Sequence, residues 1–164
     1  GQVDGTTFIT LVPVAVDPPI DQAQVGNQYW VSGNGPINQR SIQIDQVVST
    51  VGPAFGANYN PADLVVKRWG SLRVEFTSCT RANFSWDASG SNSSGFGSGS
   101  YVLQRAIENE VTQRCLQQGF ANANDLAWMV GTWYGGASRN GEGILIDKLL
   151  DGRAFVAWFT YRPR

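Results

Sequence analysis

Histidine is absent from the 164 residues. That removes Ser-His-Asp and Cys-His nucleophilic catalysis and every imidazole metal ligand. Cys79 and Cys115 are the only cysteines. Two thiolates do not make a structural zinc site, and no metal or other cofactor is expected. Charge is scarce as well: 15% of residues are charged, against ~25% in an ordinary domain. Net charge is −1 with scattered basic residues. There is no clustered Lys/Arg face of the kind nucleic acid requires. Only Lys67 and Lys148 among the basic residues are lysines, a bias for which composition offers no reason. No apolar run reaches the ~18 residues of a membrane-spanning helix, so no membrane span is expected. No basic n-region leads into an apolar h-region. If the chain is exported, it is expected to be a mature form or a fragment.

What fills the chain instead is Gly, Ser, Asn and Gln, with six Trp and eight Phe. The length fits one domain, 1–164, able to bury roughly 70% of its unfolded surface. Strand signals recur and helix signals are sparse. Phe8–Val16 reads as an edge or bulged strand because Pro13 interrupts it. Gln28–Ser32 is a strand closed by the turn signal Gly33-Asn34-Gly35-Pro36. Ser41–Val47 alternates, and Val47-Val48 breaks phase as at a bulge. Leu64–Trp69 and Leu72–Thr77 read as two strands joined at Gly70-Ser71, the second with Leu72, Val74 and Phe76 on one face.

Ala82–Trp86 alternates again. Asp87–Ser100 is low-complexity and is expected to be a long mobile loop outside the core, after which Tyr101–Leu103 resumes a strand. Residues 106–127 are ambiguous: Ile107, Val111 and Leu116 suit one face of a short helix, and Asn124-Asp125 suits a cap. Trp128–Tyr134, Gly143–Leu150 and Ala154–Tyr161 are strands, the last two joined by the strong hairpin turn Asp151-Gly152. The expectation is an all-β antiparallel barrel or sandwich of about nine or ten short strands, with at most a short helix near 106–127.

Cys79 ends a strand and Cys115 follows a polar stretch. They read either as a structural disulfide, worth roughly 3–4 kcal/mol, or as two buried thiols. The export-like character of the chain favours the disulfide and an extracellular, cell-surface or periplasmic location.

Chemistry-bearing candidates are few. Glu75, Glu142, Asp45, Asp87 and Asp147 are the carboxylates open to pairing across a cleft. Alternation places Glu75 on the solvent face, and solvated carboxylates are the simpler expectation. Ser89–Ser100 carries glycines but no following Lys or helix, so it is not a phosphate loop. The aromatic pairs are more informative: Tyr29-Trp30, Trp133-Tyr134 and Trp158 with Tyr161. Neighbouring strand residues face opposite sides. Either both faces of these strands are covered, or one aromatic of each pair forms a surface that stacks sugar rings or buries a partner.

Gly131-Thr132-Trp133-Tyr134, Asn140-Gly141-Glu142-Gly143, Asp151-Gly152-Arg153 and Ala157-Trp158-Phe159-Thr160-Tyr161 resemble the opening of a repeat in exported, mostly uncharacterised β-proteins of Gram-negative bacteria. Tyr29–Gly35, and Trp69 through Cys79 to Trp86 with Cys115 downstream, resemble its later part. Asn140 stands where the repeat usually has Ser. The order is also inverted, the later part lying in 1–115 and the opening part in 128–164. The resemblance implies a β-fold and export, and no activity. Gly131-Thr132-Trp133 is also similar to the Gly-x-Trp of lipocalin and avidin-like barrels, where the Trp closes the barrel floor.

These readings lead to an expected non-enzymatic extracellular structural or interaction domain. One form of it is a self-assembling, strand-exchanging subunit of a homo-oligomer or filament, with Phe8–Val16 or the C-terminal strand as an unpaired edge. The alternative is a lipocalin-like or carbohydrate-binding module using exposed aromatics, and a carboxylate hydrolase is the third reading.

Overall fold

The computed structural model describes residues 25–90 and 95–164. Eight antiparallel strands close into one barrel, each hydrogen-bonded to its neighbours in chain order. They are β1 (Gln28–Asn38), β2 (Ser41–Val51), β3 (Val65–Ser78), β4 (Arg81–Asp87), β5 (Ser98–Arg105), β6 (Gly131–Tyr134), β7 (Gly143–Lys148) and β8 (Arg153–Tyr161). One helix, α1 (Glu110–Gln118), lies between β5 and β6. The all-β expectation therefore resolves to the barrel. The expected strand Phe8–Val16 lies outside the described residues.

Among the described residues the count is eight, because Leu64–Trp69 and Leu72–Thr77 merge into β3 and Phe8–Val16 is not among them; two expected turns are strand interior. Gly33 to Pro36 continue β1, and the real reversal is at Gln39, with φ +53°. A Cβ on Gly35 would collide with the Gln43 carbonyl of β2, so glycine here permits close backbone approach inside a strand. Gly70-Ser71 likewise lies within the 14-residue β3. Gly70 has φ +156°, and a Cβ there would run into the Asp87 carbonyl. Across this point the buried positions of β3 slip from Lys67 and Trp69 to Leu72, Val74 and Phe76. β2 slips with it at Val47, where the alternation had broken phase. The paired irregularity bends both strands around the barrel.

The interior is filled by side chains. Trp69, Trp158, Phe84, Ile42, Ile44, Leu72, Leu103, Ile144 and Ile146 are fully buried. Trp158 meets Trp69 and Phe84 edge-on, at centroid distances of 5.6 and 5.1 Å, the geometry that aromatic quadrupoles favour.

One end of the barrel is sealed by the β5–β6 connector. Asn109 caps α1, accepting from the Thr112 N–H at 3.1 Å. The inward face of α1 is Thr112 and Cys115, while Ile107 and Leu116 are exposed. The expected apolar stripe is thus rotated away, because Cys115 is bonded to Cys79 in the β3–β4 turn and that bond sets which face turns inward. Asp125 caps the following 3-10 turn by accepting from the Ala127 N–H, as expected of Asn124-Asp125. That turn presents Trp128 to Phe76 at 5.0 Å. Arg40 in the β1–β2 turn donates to the Ala121 and Ala123 carbonyls and lies over the Phe120 ring. The disulfide fits an oxidising, non-cytoplasmic compartment. Among the described residues no helix is long and apolar enough to cross a membrane.

Two expectations about edges and loops are corrected. β8 is no unpaired edge: it pairs with β1 in unbroken register from Tyr161–Gln28 to Arg153–Pro36, as well as with β7. Asp87–Ser100 is not wholly outside the core. β4 reaches Asp87, β5 begins at Ser98, and Phe96 turns its ring onto Tyr29 and Trp69, at 5.0 and 5.4 Å.

Candidate functional site

The period-2 geometry of strands splits each aromatic pair. Tyr29, Trp133 and Trp158 point inward and are buried. Trp30 and Tyr161 point outward and are exposed, and Tyr134 is half-buried. Trp30 stands in register with Phe159 across the β1–β8 seam, and both are 48% exposed. Phe159 is opposite Gly143, which is opposite Tyr134. Trp30, Phe159 and Tyr134 therefore form one outward aromatic row. Trp133 lies toward the sealed end, donating its indole N–H to the Met129 carbonyl at 2.9 Å beneath the Arg105 guanidinium.

The opposite end of the barrel is built differently. Among the described residues, Trp86 and Phe96, the β6–β7 loop and the end of β8 with the chain after it meet there around a cavity of about 200 Å³. Its apolar walls are Trp86, Phe96, Trp158 and Tyr161, and its polar side is Arg139, Glu142 and Thr160. Trp86 is held by donating its indole N–H to the Phe96 carbonyl at 3.2 Å. Trp158 donates to the Tyr101 hydroxyl at 3.0 Å. The polar groups are locked to one another. Glu142 accepts from Arg139 at 2.7 Å on one carboxylate oxygen and from the Thr160 hydroxyl at 2.6 Å on the other. Arg139 also lies over the Tyr101 ring at 4.6 Å. Burial, reinforced by the Glu142 charge, pushes the Tyr101 phenol above its ordinary range.

This cavity collects Trp158 and Tyr161 from the aromatic candidates and Glu142 from the carboxylates. The other carboxylates lie elsewhere. Glu75, Asp45, Asp87 and Asp147 are exposed, and among the described residues Glu142 is the one carboxylate lining the cavity. A hydrolytic pair across a cleft is not assembled there. Arg139, Thr160, Trp86 and Phe96 escaped the reading of the sequence as site residues. They come from three separate segments that only barrel closure brings together. Among the described residues no group of three or more acidic, Cys or His side chains is placed to hold a metal ion. A smaller crevice of about 90 Å³ lies at the sealed end against Cys115 and Trp128.

Comparison with protein-family models, curated proteins and solved structures found no match for this chain.

Proposed function

We propose that this chain is a non-enzymatic extracellular interaction domain that recognises its partner through the open end of the barrel. The observation that carries this reading is the asymmetry of the two ends. One end is closed by a disulfide-pinned connector, while the other keeps a cavity of about 200 Å³ with aromatic walls and a fixed polar cluster. Concave sites with apolar walls and a few placed polar groups are where ligands bind. The disulfide supports an extracellular or periplasmic setting. The test is amide and indole NMR of the full chain against a panel of saccharides, fatty acids and short peptides. Perturbations should cluster at Trp86, Phe96, residues 139–142 and residues 158–163. Perturbations confined to the sealed end or to the Trp30–Phe159 row would overturn the reading.

Self-assembly is a second reading, favoured by one feature. The barrel is closed by β1 and β8, the first and last strands of the described residues, and the same pairing made between chains would link them head to tail. In that case the solution mass depends on concentration. A constant monomeric mass over a hundredfold dilution would exclude it.

A further inference from the structure

The chemistry of the open end narrows what it accepts. Resting on the reading of that end as the recognition site, we infer that its ligand is a single neutral polyhydroxylated ring, a pyranose sugar or the terminal unit of a glycan. The argument begins with charge. Arg139 and Glu142 neutralise each other at 2.7 Å, so among the described residues lining the cavity no charge is left for a charged ligand to pair with. A fatty acid would bring its carboxylate against Glu142, and about 200 Å³ lies below the ~300–1,000 Å³ of pockets for larger ligands.

Hydrogen-bonding capacity comes next. Each Glu142 oxygen takes one hydrogen bond and keeps a further lone pair, while Arg139 uses one of its five N–H donors on Glu142. The cluster is thus rigid and still offers both acceptors and donors within one side of the cavity. Vicinal hydroxyl groups, each donor and acceptor, match that arrangement. A purely apolar ring would fill the walls and strip water from these groups without replacing it, which is unfavourable. The walls supply the other half of sugar recognition. The half-buried Trp86 and Phe96 rings and the exposed Tyr161 ring offer apolar surface to the C–H face of a pyranose, which is apolar on its faces and polar at its rim.

The experiment is titration of the full chain with methyl glycosides of glucose, galactose and N-acetylglucosamine, with decanoate and a neutral tripeptide as the other arms. Indole N–H resonances of Trp86 and Trp158 report occupancy. At least one glycoside should saturate with roughly millimolar affinity. Glu142→Gln, which keeps the shape and removes the charge, should weaken that binding about tenfold or more. Thr160→Val, which removes only the hydroxyl holding Glu142, should weaken it severalfold. An unchanged dispersion of the NMR spectrum shows that either variant is folded, and Thr160→Val carries the test if Glu142→Gln is not. Saturation of these resonances by decanoate or the tripeptide and by no glycoside would overturn the sugar assignment while leaving the open end as the recognition site. Silence of these resonances toward all three classes would overturn both.

Discussion

Four arginines lie over aromatic rings: Arg40 over Phe120, Arg105 over Trp133, Arg139 over Tyr101 and Arg162 over Tyr29, at 4.3 to 4.8 Å. A planar guanidinium stacks while its edge still donates hydrogen bonds, which a compact ammonium does less well. This accounts physically for part of the scarcity of lysine, which composition left unexplained. Arg40 is the clearest case, since it also bridges two carbonyls of the connector. Arg40→Lys is therefore expected to destabilise by about 1–2 kcal/mol, read as a shift in the urea midpoint at constant slope. Tyr101 yields a pH prediction. Its folded pKa is raised, chiefly by burial, above the ordinary value of ~10. The folded state keeps its proton where the unfolded chain releases it. Stability from this group is thus complete below pH ~10 and declines as pH rises beyond it. Tyr101 should ionise late in an ultraviolet titration, and Tyr101→Phe should remove that late step. A titration that Tyr101→Phe leaves unchanged at its late end would contradict the buried, Glu142-facing placement.

At the level of elements, alternation was a sound guide where strands are regular. Ser41–Val47, Ala82–Trp86 and Ala154–Tyr161 lie in β2, β4 and β8. It misled at Gly33–Pro36 and Gly70-Ser71, because glycine marks both a turn and a point where two backbones touch, and the two differ only in what lies across the sheet. The helix face was misread for a related reason. Its inward side is set by a covalent bond to a turn 36 residues away, which no local periodicity encodes. The open-end cavity was legible only as isolated residues, Glu142, Trp158 and Tyr161. Its polar cluster depends on β8 and the β6–β7 loop meeting at one rim. The connector supplies a test at this scale. Joining Cys79 to Cys115, separated by 36 residues, should contribute about 3–4 kcal/mol by restricting the unfolded chain. Cys79→Ala with Cys115→Ala should lower unfolding free energy by that amount while leaving the barrel formed. A loss below about 1 kcal/mol would mean that the unfolded chain is already restricted there, against the entropy model.

At the level of the whole molecule, closure decides between a self-contained barrel and an exchanging subunit. β8 carries Ala154, Val156, Trp158 and Thr160 into the interior and bonds to a neighbour on each side. Trp158 alone touches Trp69, Phe84, Trp86 and Phe96. Losing one such Trp to Ala costs about 3–5 kcal/mol, against a total stability of ~5–15 kcal/mol for a typical domain. Removing residues 151–164 deletes all four inward side chains and leaves β1 and β7 each with an open edge. If β8 closes its own barrel, the truncated chain is therefore expected to unfold, with circular dichroism losing its β signal and near-ultraviolet bands, while the full chain sediments as a monomer at every concentration. Strand exchange predicts the reverse. The truncated chain would remain folded, its gap being one that a neighbour normally fills, and only the full chain would show a mass that rises with concentration. The unbroken β1–β8 register and the enclosed Trp158 favour the first outcome, and a folded, monomeric truncation beside an assembling full chain would overturn it.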